Sequence, residues 1–204
     1  MIYIGQLKYY LFDTSGCRLF NSPRRDENNV HKLLSDIFQC QRREGNILYK
    51  AHPNKPILYV SSTSKPNERE IKKKGLVLCA ERDLDELVRS YTENGLTDIN
   101  FSVDYCDMVD SRYMKGKNAD VASLFSKRLE KTGCKMISEP QIVKLAPVYY
   151  KPSHSTTDKP IPLSGVTISG RLRIIDTDAF LDGLSKGYSR HKIAGFGLML
   201  FSAA

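Results

Sequence analysis

His31 is the side chain in this sequence best suited to moving a proton at neutral pH, because an imidazole titrates near pH 6.5 and serves as either acid or base. It follows Val30 and precedes Leu33 and Leu34, at the rim of an apolar stripe that continues through Ile37 and Phe38. That i, i+3, i+4, i+7, i+8 spacing predicts an amphipathic helix, with Ser22-Pro23 as its N-cap and first-turn proline. On such a helix Arg24, Asn28 and Ser35 fall at i−7, i−3 and i+4 from His31, on its own sector, and Lys32 borders it. An imidazole, an amide, a hydroxyl and two cations on one flank suit metal-free cleavage of RNA. In that reaction a 2′-hydroxyl attacks the adjacent phosphorus, a base takes its proton, and an acid returns one to the leaving 5′-oxygen. A cation stabilises the charge that builds on the phosphorane, and Ser35 would orient the ring or a phosphate. The competing reading makes His31 a boundary residue whose polar neighbours only solvate a helix.

A second constellation lies in Gly187-Tyr188-Ser189-Arg190-His191-Lys192-Ile193-Ala194-Gly195-Phe196-Gly197-Leu198-Met199-Leu200. A helical pattern from Thr177 to Lys186 stops at Gly187, a residue type that tolerates the left-handed cap. The apolar run Leu198 to Phe201 reads as a closing strand. Bare glycine amides form concavities that suit phosphate oxygens, and Arg190 and Lys192 add positive charge there. The same glycines are equally consistent with a tight turn and close backbone packing. His191 is the second candidate for proton transfer, although contact with phosphate or solvent is the simpler role for a loop histidine. His154 belongs to a proline-rich arm, and His52 reads as a turn residue.

The pattern Gly-Tyr-Ser-x-x-Lys-x-x-Gly-x-Gly-Leu-Met, after a strand and a short helix, resembles the C-terminal signature of the CRISPR RNA-processing endoribonucleases. Within these repeat-associated mysterious proteins it is most similar to the CasE family. Lys192, Gly195 and Gly197 match, and Ser189 stands where that family usually has another glycine. The resemblance implies a catalytic histidine on the first helix, where Asp26-Glu27-Asn28-Asn29-Val30-His31-Lys32-Leu33-Leu34 puts His31. Asn28 replaces the tyrosine that family members often carry three positions before the histidine, which removes one candidate proton carrier or orienting hydroxyl. The implied activity is cofactor-free cleavage of precursor CRISPR RNA at the base of the repeat hairpin. The products implied are a 2′,3′-cyclic phosphate or 3′-phosphate and a 5′-hydroxyl, and the mature guide RNA stays bound within a multisubunit interference complex. Asn28 keeps open an alternative, a non-catalytic RNA-binding assembly subunit of the same fold. A ferredoxin-like metabolic enzyme with a phosphorylated ligand is a more distant option.

These residues need elements to hold them. Residues 2–11 read as a strand, followed by the His31 helix, strands at Ile47-Leu48-Tyr49 and Ile57-Leu58-Tyr59-Val60, and an exposed loop from Ser61 to Lys74. A helix from Leu84 to Tyr91 and a strand from Ile99 to Tyr105 complete a β-α-β-β-α-β order, that of a ferredoxin-like fold. The second half repeats the theme. A basic loop (Asp110 to Lys117) leads to a helix from Asp120 to Lys131, with Val121, Leu124, Phe125 and Leu129 inward and Gly133 as cap. A strand near Met136 to Ile142 and a hairpin or arm from Pro147 to Pro162 follow. In the strand Gly165 to Ile175, Val166, Ile168, Leu172 and Ile174 face one way and Thr167, Ser169, Arg171 and Arg173 the other. The expected architecture is α+β: two tandem ferredoxin-like domains packed side by side. Residues 1–94 carry the helix, and residues 95–204 carry the glycine loop at 187–197.

Composition sets the partner class. The 204 residues carry a formal net charge of +8 and an isoelectric point near 9.2, which favours polyanions. Arg171, Arg173, Lys115, Lys117, Lys151 and Lys159 form a candidate basic track. It continues into a phosphate grip made of Ser189, Arg190, His191, Lys192, Gly195 and Gly197. An A-form RNA hairpin is read mainly through phosphates, 2′-hydroxyls and shape, and such binding weakens with salt. Lys72-Lys73-Lys74 reads equally well as a solvated run. No apolar run approaches the roughly 20 residues of a membrane span, and the N-terminal stretch lacks a signal peptide's regions, so a cytoplasmic location is expected. Five scattered cysteines without a C-x-x-C pair, and the absence of an H-E-x-x-H motif, predict reduced thiols and no metal site.

Overall fold

The computed structural model describes residues 6–20, 27–41, 43–106, 118–150 and 161–204. In chain order the elements are β1 (Lys8–Asp13), α1 (Glu27–Phe38), β2 (Leu48–Ala51), β3 (Ile57–Ser62), α2 (Glu68–Lys73), β4 (Val77–Asp83), α3 (Leu84–Glu93) and β5 (Asp98–Tyr105). They continue with α4 (Asn118–Glu130), β6 (Cys134–Met136), β7 (Gln141–Lys144), β8 (Val148–Tyr150), β9 (Ile161–Leu163), β10 (Val166–Ile174), α5 (Thr177–Lys186), a 3₁₀ turn (Lys192–Ala194) and β11 (Met199–Ala203).

The first sheet is ordered β2-β3-β1-β4 and the second β11-β5-β10-β6, with β7 also paired to β10. All these pairings are antiparallel. Each order is the ferredoxin-like one, fourth strand beside first and third beside second, so the fold is α+β with two tandem ferredoxin-like units.

The first unit is built differently from its expected outline. Residues expected as one exposed loop form α2, whose N-cap Asn67 accepts from the amides of Arg69 and Glu70. The fourth strand is β4, which the sequence reading did not include. The strand at Ile99 to Tyr105 belongs to the second sheet, and α3 is a connecting helix that Asp83 caps. The reason is physical: α2 buries a single residue, Ile71, and β4 is an edge strand exposed on both faces. Neither leaves an apolar period in the sequence.

Elsewhere the apolar stripes do what their spacing requires. On α1, Val30, Leu33, Leu34, Ile37 and Phe38 are buried against Tyr10, Phe12, Leu58 and Val60 of the first sheet. On β10, Val166, Ile168, Leu172 and Ile174 are buried. On α4, Val121, Phe125 and Leu129 are buried, but Leu124 is 49% exposed, because it lies about 100° from the centre of their stripe. The expected strand from Met136 to Ile142 is two short ones, β6 and β7. The bases of the expected arm pair as the β8–β9 hairpin.

The two units are joined by apolar packing. Leu7, Leu84 and Val88 lie in one core with Ile99, Val103, Phe180, Leu184 and Met199. The Tyr9 hydroxyl donates to the Met199 carbonyl. Lys50 on β2 pairs with Asp104 on β5 at 2.8 Å, with both side chains largely buried. No helix among the described residues is long and apolar enough to cross a membrane.

Candidate active site

The glycine loop is fastened at its base. The Tyr188 amide donates to the Gly197 carbonyl (2.9 Å) and the Gly197 amide to the Asp104 carbonyl (2.8 Å). Arg128 donates to the Tyr188 carbonyl at 2.8 Å while lying over the Tyr105 ring. The Ser189 hydroxyl accepts from the Cys106 amide (2.9 Å) and donates to the Cys106 carbonyl (2.7 Å). Between these ties the chain projects as Arg190, His191 and the 3₁₀ turn.

The apex is therefore basic and accessible. Arg190 is exposed, and His191 and Lys192 are half-buried. Helix α1 packs directly against the 3₁₀ turn, and the base of the β8 strand touches both. His31 is half-buried on α1. Asn28 and Ser35, one turn to either side, are half-buried too. Helix α1, which carries His31, Asn28 and Ser35, thus lies against the Lys192–Ala194 turn of the second unit.

Tyr49 on β2 marks the junction. Its hydroxyl lies 2.7 Å from the Ile193 carbonyl and 3.0 Å from Glu27 Oε2, and it approaches the Glu27 carbonyl at 3.4 Å. Sequence reasoning missed both Tyr49 and Glu27. Tyr49 reads as a strand aromatic and Glu27 as a helix-start acid, and only the tertiary fold brings 49 to 193.

The glycines answer to packing. Gly195 sits at φ +83°, and a Cβ there would come within 3.1 Å of the Tyr49 ring. Gly197, at φ +96°, would place a Cβ 2.8 Å from the Ser189 nitrogen. Their amides, with those of Lys192 and Ala194, already donate to protein carbonyls. The close-packing reading of Gly195 and Gly197 is therefore the one the geometry supports, rather than a cradle of bare amides. Gly187 ends α5 at a positive φ of 73°, as its residue type allows, but its ψ of 155° lies outside the left-handed helical cap.

One expected RNA contact is corrected: Ser189 is 1% exposed, with its hydroxyl bound to Cys106, so its side chain is structural. Arg173 is exposed and holds Asp98 through two bonds of 2.6 and 2.9 Å, and that pairing draws the Asp98 carboxyl below its usual range. Arg171 stands exposed on the same strand. Arg24, Lys115, Lys117, Lys151, Lys159 and His154 lie outside the described residues. His52 is a turn residue, its Nδ1 accepting from the Asn54 amide.

A family model described as "CRISPR associated protein" matches residues 18–202. The chain belongs to this CRISPR-associated family. The expectation drawn from the glycine-loop signature and the His31 helix is met at that level. No curated protein matches it closely enough in sequence to count as a relative. Among solved structures, a CRISPR endoribonuclease Cse3 bound to 19-nucleotide RNA matches this CRISPR-associated protein with a TM-score of 0.76 at 15% identity, covering 97% of this chain and 100% of that one. The Cas6e protein of Escherichia coli K-12 matches with a TM-score of 0.66 at 15% identity, over 97% and 100%. A chain of a CRISPR RNA-guided surveillance complex matches with a TM-score of 0.58 at 15% identity, again over 97% and 100%. At such identities these likenesses establish the fold.

Proposed function

We propose that this CRISPR-associated protein is a metal-independent endoribonuclease. It cuts precursor CRISPR RNA at the base of the repeat hairpin and stays bound to the mature guide RNA within an interference complex. The observation that supports this reading is the packing of α1, with its half-buried His31, against the 3₁₀ turn Lys192–Ala194, which Arg190 and His191 precede in the chain. A scissile phosphate at that junction meets a proton carrier on one side and fixed cations on the other, which is what 2′-hydroxyl attack requires.

In this reading residues 1–94 supply the chemistry and residues 95–204 the grip. His31 moves the proton, Arg24 and Lys32 assist electrostatically, and Asn28 and Ser35 orient the ring or a phosphate. Lys192 and Arg190 hold phosphate, with His191 beside them. Arg171, with Lys115, Lys117, Lys151 and Lys159, adds positive charge for phosphate contact. The solved relatives that carry RNA or sit in a surveillance complex support both the substrate and the partners. A cytoplasmic location accords with an RNA substrate of this kind.

The test is incubation with repeat RNA in excess EDTA. Discrete fragments ending in a cyclic phosphate are expected, and His31→Ala should bind the RNA normally but not cut. Binding without cutting by the native protein would instead make it the non-catalytic assembly subunit that Asn28 left open. Unchanged cutting by His31→Ala would move the chemistry to another residue, with His191 the next to test.

A further inference from the structure

Glu27 opens α1 and is 3% exposed. A carboxyl group is rarely buried so completely unless it is held by partners. One of its oxygens lies 3.0 Å from the Tyr49 hydroxyl, which also reaches the Ile193 carbonyl in the 3₁₀ turn at 2.7 Å. A tyrosine hydroxyl has one proton, so it donates to Ile193 or to Glu27, and either way it stands between the two units. Glu27 and His31 are four residues apart on the same helix. That spacing puts them one above the other on one face, with Cβ atoms about 5–6 Å apart.

We propose that Glu27, steadied by Tyr49, is a positioning residue for His31: its carboxylate fixes the orientation and tautomer of the imidazole and holds the imidazolium formed when the ring takes a proton. This rests on His31 being the proton carrier in the reading above. The electrostatic need is visible. Besides the first sheet, the elements packed against α1 are the 3₁₀ turn, β8 and α2. The 3₁₀ turn carries Lys192, preceded by Arg190 and His191, while on α1 Lys32 follows His31 and the Asp36 carboxylate is paired with Lys74. Cations near a ring disfavour its protonated form. A carboxylate one helical turn away opposes them, as the orienting acid does in other histidine-based sites. Tyr49 also brings a hydroxyl to the first turn of α1, where Asn28 stands in place of the family's usual tyrosine.

The experiment compares wild type, His31→Ala, Glu27→Gln and Tyr49→Phe by single-turnover cleavage of repeat RNA, RNA affinity and thermal melting. Glu27→Gln keeps the shape and a hydrogen-bond acceptor for Tyr49 but loses the charge. Its cleavage rate should fall roughly tenfold or more, by analogy with loss of an orienting carboxylate. Its RNA affinity should be unchanged or slightly tighter, because a negative charge near phosphate has gone. Tyr49→Phe should lose rate by a smaller factor, again without loss of affinity. If Glu27→Gln cleaves at the wild-type rate while His31→Ala is inactive, the positioning role is wrong and the nuclease reading stands. If His31→Ala cleaves normally, both fall. A slower Glu27→Gln whose affinity and melting temperature drop in step would make Glu27 a structural residue, which also overturns the proposal.

Discussion

Ser189→Ala separates a structural serine from a ligand-facing one. The hydroxyl is paired to both polar groups of the Cys106 main chain, at 2.9 and 2.7 Å, and the two residues are 1% and 0% exposed. Alanine removes both bonds and puts nothing polar in their place. A buried hydrogen bond contributes about 1 kcal/mol net, and leaving a buried group without that partner costs about 1–3 kcal/mol. Two such groups place the loss at about 2–6 kcal/mol. A chain of this size shifts its melting temperature by about 2–4 °C per kcal/mol. A drop of roughly 4–24 °C follows, and urea unfolding should show the same loss with an unchanged slope. RNA affinity, measured well below the melting transition, should stay at the wild-type value. A variant that melts like wild type yet binds repeat RNA weakly would refute this, because the hydroxyl would then face the ligand and not the Cys106 backbone.

Two further outcomes follow from burial. Burial pushes the Asp85 carboxyl pKa up, although the Leu7 amide bonded to it acts the other way. A raised acid pKa makes the ionised group a liability at neutral pH, one that fades as pH falls through the folded-state value and the carboxyl takes its proton. Asp85→Asn should therefore melt higher than wild type at pH 7.5, with the gain shrinking toward pH 4; no gain at either pH would refute the burial argument. Burial also holds the Cys134 thiol up at about 12, whereas Cys79 is exposed. Iodoacetamide at pH 8 should label Cys79 in the folded protein and Cys134 only after denaturation, as peptide mass spectrometry would show.

What the sequence could reveal tracks how local each feature is. Helix α1 and strand β10 announce themselves because their apolar residues recur with the period of the element, and α5 because it stops at a glycine. Helix α2 and strand β4 are silent. Six residues with one apolar side chain have no period, and an edge strand that pairs with β1 exposes charge on both faces. A closer look at Asn67 with Glu70 three residues later, a capping-box spacing, would have found α2. The site divides in the same way. His31 and the basic apex are legible as residue types on predicted elements. The contact from Tyr49 to Ile193 spans 144 positions and leaves no local trace. Ser189 misleads for a physical reason: a hydroxyl in a glycine-rich basic loop looks ligand-facing until the neighbouring strand is in place to use it.

The junction between the two units has to be rigid if it is to do the chemistry proposed for it. Electrostatic stabilisation of a phosphorane is effective when the cations are already in place and need no reorganisation. The loop that carries Arg190, His191 and Lys192 is fastened from beneath by the crossed bonds among Tyr188, Gly197 and Asp104, the Arg128 tie and the sealed Ser189 pair. On the other side, α1 is fixed by a full apolar stripe, and the units cannot swing freely because they share a core and the largely buried pair of Lys50 and Asp104. Asp104 serves both sides of the junction. Its side chain takes Lys50 and the Thr167 hydroxyl, and its carbonyl takes the Gly197 amide. One residue of β5 thus ties both the glycine loop and the β2 strand of the first unit, which is the rigidity the proposed chemistry calls for.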